Sequence, residues 1–171
     1  SYTLGMIMPD SANPFFAEVA RGIEETSFNI GYSVILCNSI GDLAREARYV
    51  DLLAKKQVDG VLLVAAGDSL RQVETLQARN IPLVVVDRER PGGAVDCVLT
   101  DNFLGGRSAV EHLLGLGHRR IGCITGVADL MPSARRVDGY RQAMAEAGIE
   151  VDDAWIVSGD FQDQSGYAGA Q

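Results

Sequence analysis

Basic charge is scarce in this sequence. Lys and Arg number 15 against 23 Asp and Glu, a formal net charge of −8 at pH 7. Surfaces that hold nucleic acid need clustered Lys and Arg to neutralise phosphates, so any DNA contact is expected from another segment. Histidine is scarcer still, with two residues. His112 falls inside a helical pattern, and His118 has no Cys, Asp or Glu motif beside it, which leaves no credible Ser/His/Asp or Cys/His arrangement. The three cysteines, Cys37, Cys97 and Cys123, share no CxxC spacing, and each lies in an apolar β-like run. They read as reduced, buried thiols of a cytosolic protein. No apolar run approaches the ~18 residues of a membrane helix, and no basic start with a small-residue cleavage site marks export. Ser1 opens almost directly onto a strand, an arrangement that a removed leader would also leave. No GxGxxG or GxxxxGK[ST] follows the first strand, which disfavours a nucleotide-using enzyme on a Rossmann-like sheet. No cofactor, metal or catalytic role is expected.

What the chain does have is α/β patterning. At 171 residues, 47% apolar and 22% charged, it can bury a full core as one domain or two small ones. Thr3 to Met8 is a strand-length apolar run. From Phe16 the apolar positions switch to helical spacing, placing Phe16, Val19, Ala20, Ile23, Ser27 and Ile30 on one stripe. Asn13 suits the cap of that helix and Pro14 its first turn. Strand and helix patterns then alternate with a repeat of roughly 25 to 30 residues, the spacing of βαβ units. Strands are expected at Ser33 to Asn38, Gly60 to Val64, Leu83 to Val86, Val95 to Thr100, Ile121 to Thr125 and Trp155 to Ser158. Helices are expected at Leu43 to Lys56, Leu70 to Arg79, from Asp101 onward, and from about Ser133 to Ala147. Gly60-Val61-Leu62-Leu63-Val64 is nearly all apolar, as a central strand covered on both faces should be. Gln164 to Gln171 reads as the opening of a helix with no later strand to return to, so a fragment is expected.

In an open α/β sheet, ligands sit beyond the carboxyl ends of the strands, so loops distant in sequence converge there. Those loops hold Asp10, Asn13, Phe15 and Phe16, then Asp87 and Arg88, then Asp101 and Asn102. Ser133, Arg135 and Arg136 follow Thr125-Gly126, and Asp160, Phe161 and Gln162 follow Trp155. Aromatic faces with carboxylates, amides and arginines suit a small polyhydroxylated or heterocyclic ligand, a sugar especially well. Each has a plainer reading: Phe16 as core, Asp101 as a helix cap, Arg135 as a solvated charge, Arg88 as a salt bridge to Asp87 or Glu89, and the His118-Arg119-Arg120 cluster as a dipole-compensating helix end.

Several blocks in order resemble the LacI/GalR family of bacterial transcription regulators. They are Asn13-Pro14-Phe15-Phe16 with its helix, Gln57 to Leu62, Ile81 to Arg88, Thr100-Asp101-Asn102 with Gly105-Gly106, Gly117 to Gly122 and Arg136 to Tyr140, which together cover essentially the whole chain. The resemblance implies a periplasmic-binding-protein-like type I α/β fold, in which two doubly wound parallel-sheet subdomains enclose a ligand cleft. The first would span residues 1–116 and the second, incomplete, residues 117–171. Its ligand-binding positions fall on Asn13, Phe15, Phe16, Asp87, Arg88, Asp101, Arg136 and Phe161. Pro132 departs from the pattern where many relatives place a hydroxyl, so the pocket's hydrogen-bonding set is left open. The implied protein is a cytoplasmic, effector-sensing repressor that works as a homodimer and makes no membrane contact. It would bind operator DNA through an N-terminal helix-turn-helix domain absent from this chain. A secreted sugar-binding protein of a transporter would share the core, and the segment upstream of Ser1 would decide between them.

Overall fold

The computed structural model describes residues 1–64, 69–88, 95–128 and 130–171, with Leu70 described by its backbone alone. The chain divides into two compact units, Ser1–Leu99 and Thr100–Gln171.

The first unit alternates strand and helix: β1 Thr3–Met8, α1 Pro14–Asn29, β2 Ser33–Asn38, α2 Leu43–Lys55, β3 Gly60–Val64, α3 Leu70–Ala78, β4 Leu83–Val86 and β5 Asp96–Val98. The strands form one parallel sheet in the order β2-β1-β3-β4-β5, so β3 is central as its unbroken apolar run demands. Successive strand side chains point to opposite faces, and the buried residues sort accordingly. Ile7, Val61, Leu63 and Val85 join Val50 and Leu53 of α2 with Val73 and Leu76 of α3 on one face. Met6, Met8, Val64 and Val86 join Ala20 of α1 on the other. Each such fully buried side chain contributes roughly 1.5–3 kcal/mol. Gly5 is required where α2 crosses β1, because a Cβ there would lie 2.5 Å from Leu53 Cδ1.

The second unit holds α4 Asn102–Gly115, β6 Cys123–Ile124, α5 Met131–Glu146, a 3-10 turn Asp153–Trp155, β7 Ile156–Val157 and α6 Asp163–Gly169, with β6 and β7 parallel. Its core is Val110, Ile121, Tyr140, Ala143 and Met144. The Tyr140 hydroxyl donates to the buried carbonyl of Ile121 at 2.8 Å. Helices α4 and α5 touch backbone to backbone. A Cβ on Gly106 would meet the Arg136 carbonyl oxygen at 2.3 Å, and one on Gly139 the Phe103 carbonyl oxygen at 2.1 Å.

That crossing ties α4 to α5 within the second compact unit, and Gly117, at φ +93°, ends α4. Three strands are shorter than their apolar runs. Val95 to Thr100 narrows to Asp96–Val98 at the sheet edge. Trp155 is drawn into the 3-10 turn, where Asp152 Oδ1 accepts the Ala154 N–H at 2.9 Å. Ile121 to Thr125 narrows to Cys123–Ile124, which pairs only with β7. Ile30 lies past the end of α1 and is 67% exposed, so it leaves the stripe expected to carry it inward. All three cysteines are free; Cys37 is buried and the others half-buried. Burial pushes the Cys37 and Cys123 thiols above their ordinary value.

Candidate functional site

All five strands of the first unit run the same way, so the residues following Met8, Asn38 and Val86 emerge at one edge. The loop after β1 is held by its own side chains. Asp10 Oδ1 accepts the Ala12 N–H and Asn13 Oδ1 the Phe15 N–H, both at 2.9 Å. Asn13 thus caps α1, with Pro14 in the first turn whose N–H groups need no intrahelical partner. Asn38, at the end of β2, donates from Nδ2 to Ser11 Oγ at 2.8 Å and ties the loop to the sheet. Phe15 and Phe16 meet edge to face, centroids 5.1 Å apart. The two rings differ in what else they touch. Phe16 packs against the Met8–Val64–Val86 core, whereas Phe15 remains 40% exposed.

Past β4 the chain turns sharply. Asp87 adopts φ +58°, a conformation that aspartate tolerates better than most residues. The Asp87 and Arg88 side chains, 8% and 12% exposed, form an ion pair at 3.2 Å, and Arg88 Nη1 also donates to the Asp87 carbonyl at 2.9 Å. Burial lowers the Arg88 pKa from its ordinary value, and the Asp87 charge opposes that shift. Arg88 Nε is buried and has no hydrogen-bond partner among the described residues, an omission that costs about 1–3 kcal/mol unless another acceptor is supplied. The other expected partner, Glu89, lies outside the described residues.

The second unit builds its set differently. Asp101 Oδ1 accepts the Leu104 N–H at 2.9 Å and caps α4. The next residue, Asn102, accepts from Arg136 Nε at 2.8 Å. Arg135 is engaged elsewhere, over the Phe103 ring at 5.4 Å and beside Asp138 at 4.0 Å, the surface-charge reading of that residue. Phe161, at φ +66° and 44% exposed, lies against Gly126, where any Cβ would collide with its ring. Gly126 is anchored by the buried Ser133, whose Oγ accepts its N–H at 3.0 Å. Helix α5 starts at Met131, before Ser133, with Pro132 in its first turn, where a missing N–H costs no intrahelical bond. Asp160 braces Phe161 from the other side, its Oδ1 accepting the Gln162 N–H at 2.9 Å while its own N–H reaches Ser165 Oγ at 3.2 Å. The Ser165 hydroxyl and Gln162 N–H hold the Asp160 carboxyl below the usual range.

Of the expected site residues, Asn13, Phe15, Phe16, Asp87 and Arg88 fall in the first unit, and Asp101, Arg136 and Phe161 in the second. Asn102 and Ser133 were visible as strand-end residues, but their contacts join positions far apart in sequence and left no local signal. Among the described residues no group of three or more His, Cys, Asp or Glu is placed to hold a metal ion. No helix there is long and apolar enough to cross a membrane. His118 is exposed, and Arg119 Nη1 donates to the carbonyls of Leu114 and His118, closing the end of α4.

Residues 1–171 match the model for periplasmic binding proteins and the sugar binding domain of the LacI family. An HTH-type transcriptional repressor PurR of Photobacterium profundum is 41% identical over 165 residues, which are 95% of this chain and 49% of that protein. The ribose operon repressor of Escherichia coli is 39% identical over 168 residues, 98% of this chain and 51% of that protein. A LacI family transcriptional regulator from Enterococcus faecium, solved with bound ribose, superposes at a TM-score of 0.81 with 30% identity, covering 97% of this chain and 60% of the other. The chain spans about half the length of the curated relatives it matches.

Proposed function

The chain belongs to the family of periplasmic binding proteins and LacI-type sugar-binding domains, and from that premise we propose that it is the effector-sensing part of a transcription repressor, with a pentose as its effector. The observation that carries this reading is chemical. Each unit carries, in its loops and in the first two turns of its helices, an aromatic ring, a guanidinium, a carboxylate and an amide. The first set is Phe15, Arg88, Asp87 and Asn13, and the second is Phe161, Arg136, Asp101 and Asn102. Aromatic faces stack on the C–H surfaces of a sugar, while guanidinium and carboxylate groups exchange paired hydrogen bonds with its hydroxyls. The unused Arg88 Nε is a buried donor that such a hydroxyl would satisfy. No residue in either set needs to move a proton or form a bond, so the arrangement binds without catalysing.

A pentose is put first because the matching family model describes a sugar binding domain and a ribose operon repressor and a ribose-bound regulator are similar over nearly the whole chain; the equally similar PurR makes a purine the rival. Sensing then follows from linkage. A ligand that binds two arrangements of the protein with different affinity shifts the population toward the better-bound one, and only by that difference. We infer a cytoplasmic homodimer that engages operator DNA through a helix-turn-helix domain outside these residues, in keeping with the net charge of −8 of this chain.

A thermal-shift panel of monosaccharides and purine bases tests the reading. D-ribose should raise the unfolding midpoint with the logarithm of its concentration above Kd, reaching about 2.7 kcal/mol of stabilisation at a hundredfold excess, and purine bases should not. Stabilisation by purines alone would replace the pentose with a nucleobase.

A further inference from the structure

Arg136 is the least buried arginine of the two strand-end sets, yet its side chain is not loose. Its Nε donates to Asn102 Oδ1 at 2.8 Å. The Asn102 amide is itself held, Nδ2 donating to the Thr100 carbonyl at 3.1 Å while the Asn102 N–H donates to the same oxygen at 2.8 Å. Behind this contact the helices meet so closely at Gly106 that the Arg136 backbone cannot shift toward or away from the start of α4 without disturbing the crossing.

We propose that Asn102 is a positioning residue that sets the plane of the Arg136 guanidinium for a pentose ligand, a role that rests on the reading of Arg136 as a ligand-binding residue. The chemistry needs such a part. A guanidinium is a rigid planar fork with five N–H donors, and it recognises paired oxygens only when its plane is aligned with them. Anchoring Nε fixes that plane and leaves both Nη groups available; among the described residues neither carries a hydrogen bond. An exposed arginine without the anchor would sample many rotamers and lose that freedom on binding. Asparagine suits the task because its oxygen accepts while its nitrogen is tied back to the chain, and because, being neutral, it leaves the full positive charge of Arg136 for the ligand.

Two readouts on the protein at full length test this. The Arg136 Nε–H resonance in 15N NMR reports the anchor without any ligand. It should be dispersed and slow to exchange in the wild type, collapse to the free-arginine position in Asn102→Ala, and persist in Asn102→Asp, whose carboxylate can still accept. Calorimetry with D-ribose reports the consequence. Asn102→Ala should weaken binding roughly tenfold, Asn102→Asp should recover most of the loss, and Asn102→Ala should cost nothing further in an Arg136→Ala background. An unchanged Nε resonance in Asn102→Ala, or an equal loss in both backgrounds, would overturn the proposal. If Arg136→Ala loses D-ribose while Asn102→Ala keeps it, the role of Asn102 falls and the site reading stands. If Arg136→Ala binds as the wild type does, or the wild type gives no heat, the site reading falls and carries this proposal with it.

Discussion

The two units carry the same small kit of groups but fix it by different means. In Ser1–Leu99 a five-stranded parallel sheet does the positioning. Each strand ends at a register set by its neighbours; Asp87 and Arg88 follow β4 directly, and Asn13 and Phe15 stand at the start of the helix into which β1 leads. In Thr100–Gln171 the sheet has two short strands, and placement falls to a helix crossing and to side-chain hydrogen bonds between residues distant in sequence. A site written by a sheet tolerates change in its loops, while one written by a helix crossing depends on the absence of single methyl groups.

Substitutions in one unit and then the other put that contrast to the test. Leu53→Ala empties the space over Gly5 in the main core of the first unit and should cost about 2–5 kcal/mol. Hydrogen exchange should show the loss in the amides of β1, β2 and β3, with those of α4 and α5 unaffected. Gly139→Ala places a methyl against the Phe103 carbonyl, a backbone atom that cannot swing aside, and should cost about 1–3 kcal/mol, with exchange rising in α4 and α5. If Gly139→Ala left the second unit intact and ligand binding unchanged, the close crossing would not be what positions Arg136.

The smallest effect is one of pH. Burial holds the Tyr140 hydroxyl above its ordinary value, with the Cys123 charge adding to the shift. A raised folded pKa on an acid means that the neutral form is favoured by folding. Its contribution is complete below the unfolded value of about 10 and is lost as pH rises through the folded one. Tyr140 should therefore cost the second unit stability as pH rises through that value, in addition to the raised thiols of Cys123 in this unit and Cys37 in the first. Tyr140→Phe should flatten most of that loss at a cost of about 1–3 kcal/mol at neutral pH, since the Ile121 carbonyl loses its donor. An alkaline loss in urea titrations as large in Tyr140→Phe as in the wild type would contradict this reading of Tyr140.

The same division governs how much could be read from the sequence. The joint of β1 and α1 was legible because every signal there is local: an apolar run, a change of period at Phe16, and Asn13-Pro14 to start a helix. Asp87-Arg88 was legible because four consecutive aliphatic residues end on it. The partner of α4 was not, since Gly105-Gly106 and Gly139 announce a close approach without naming what approaches. The core role of Phe16 was one of its two sequence readings, since it begins the apolar stripe of α1, and its packing against the ends of β3 and β4 bears that reading out. Asn102 and Ser133 stood among the strand-end residues, yet hydrogen bonds to Arg136 and Gly126 are tertiary facts that spacing does not encode.

The central proposal is that Phe15 of the first unit and Arg136 of the second are each needed for effector binding. It is tested most directly by calorimetric titration of D-ribose into the wild type, Phe15→Ala and Arg136→Ala, each checked for native circular dichroism. Both variants should keep the fold and lose the heat of binding. Wild-type affinity in both would contradict the account.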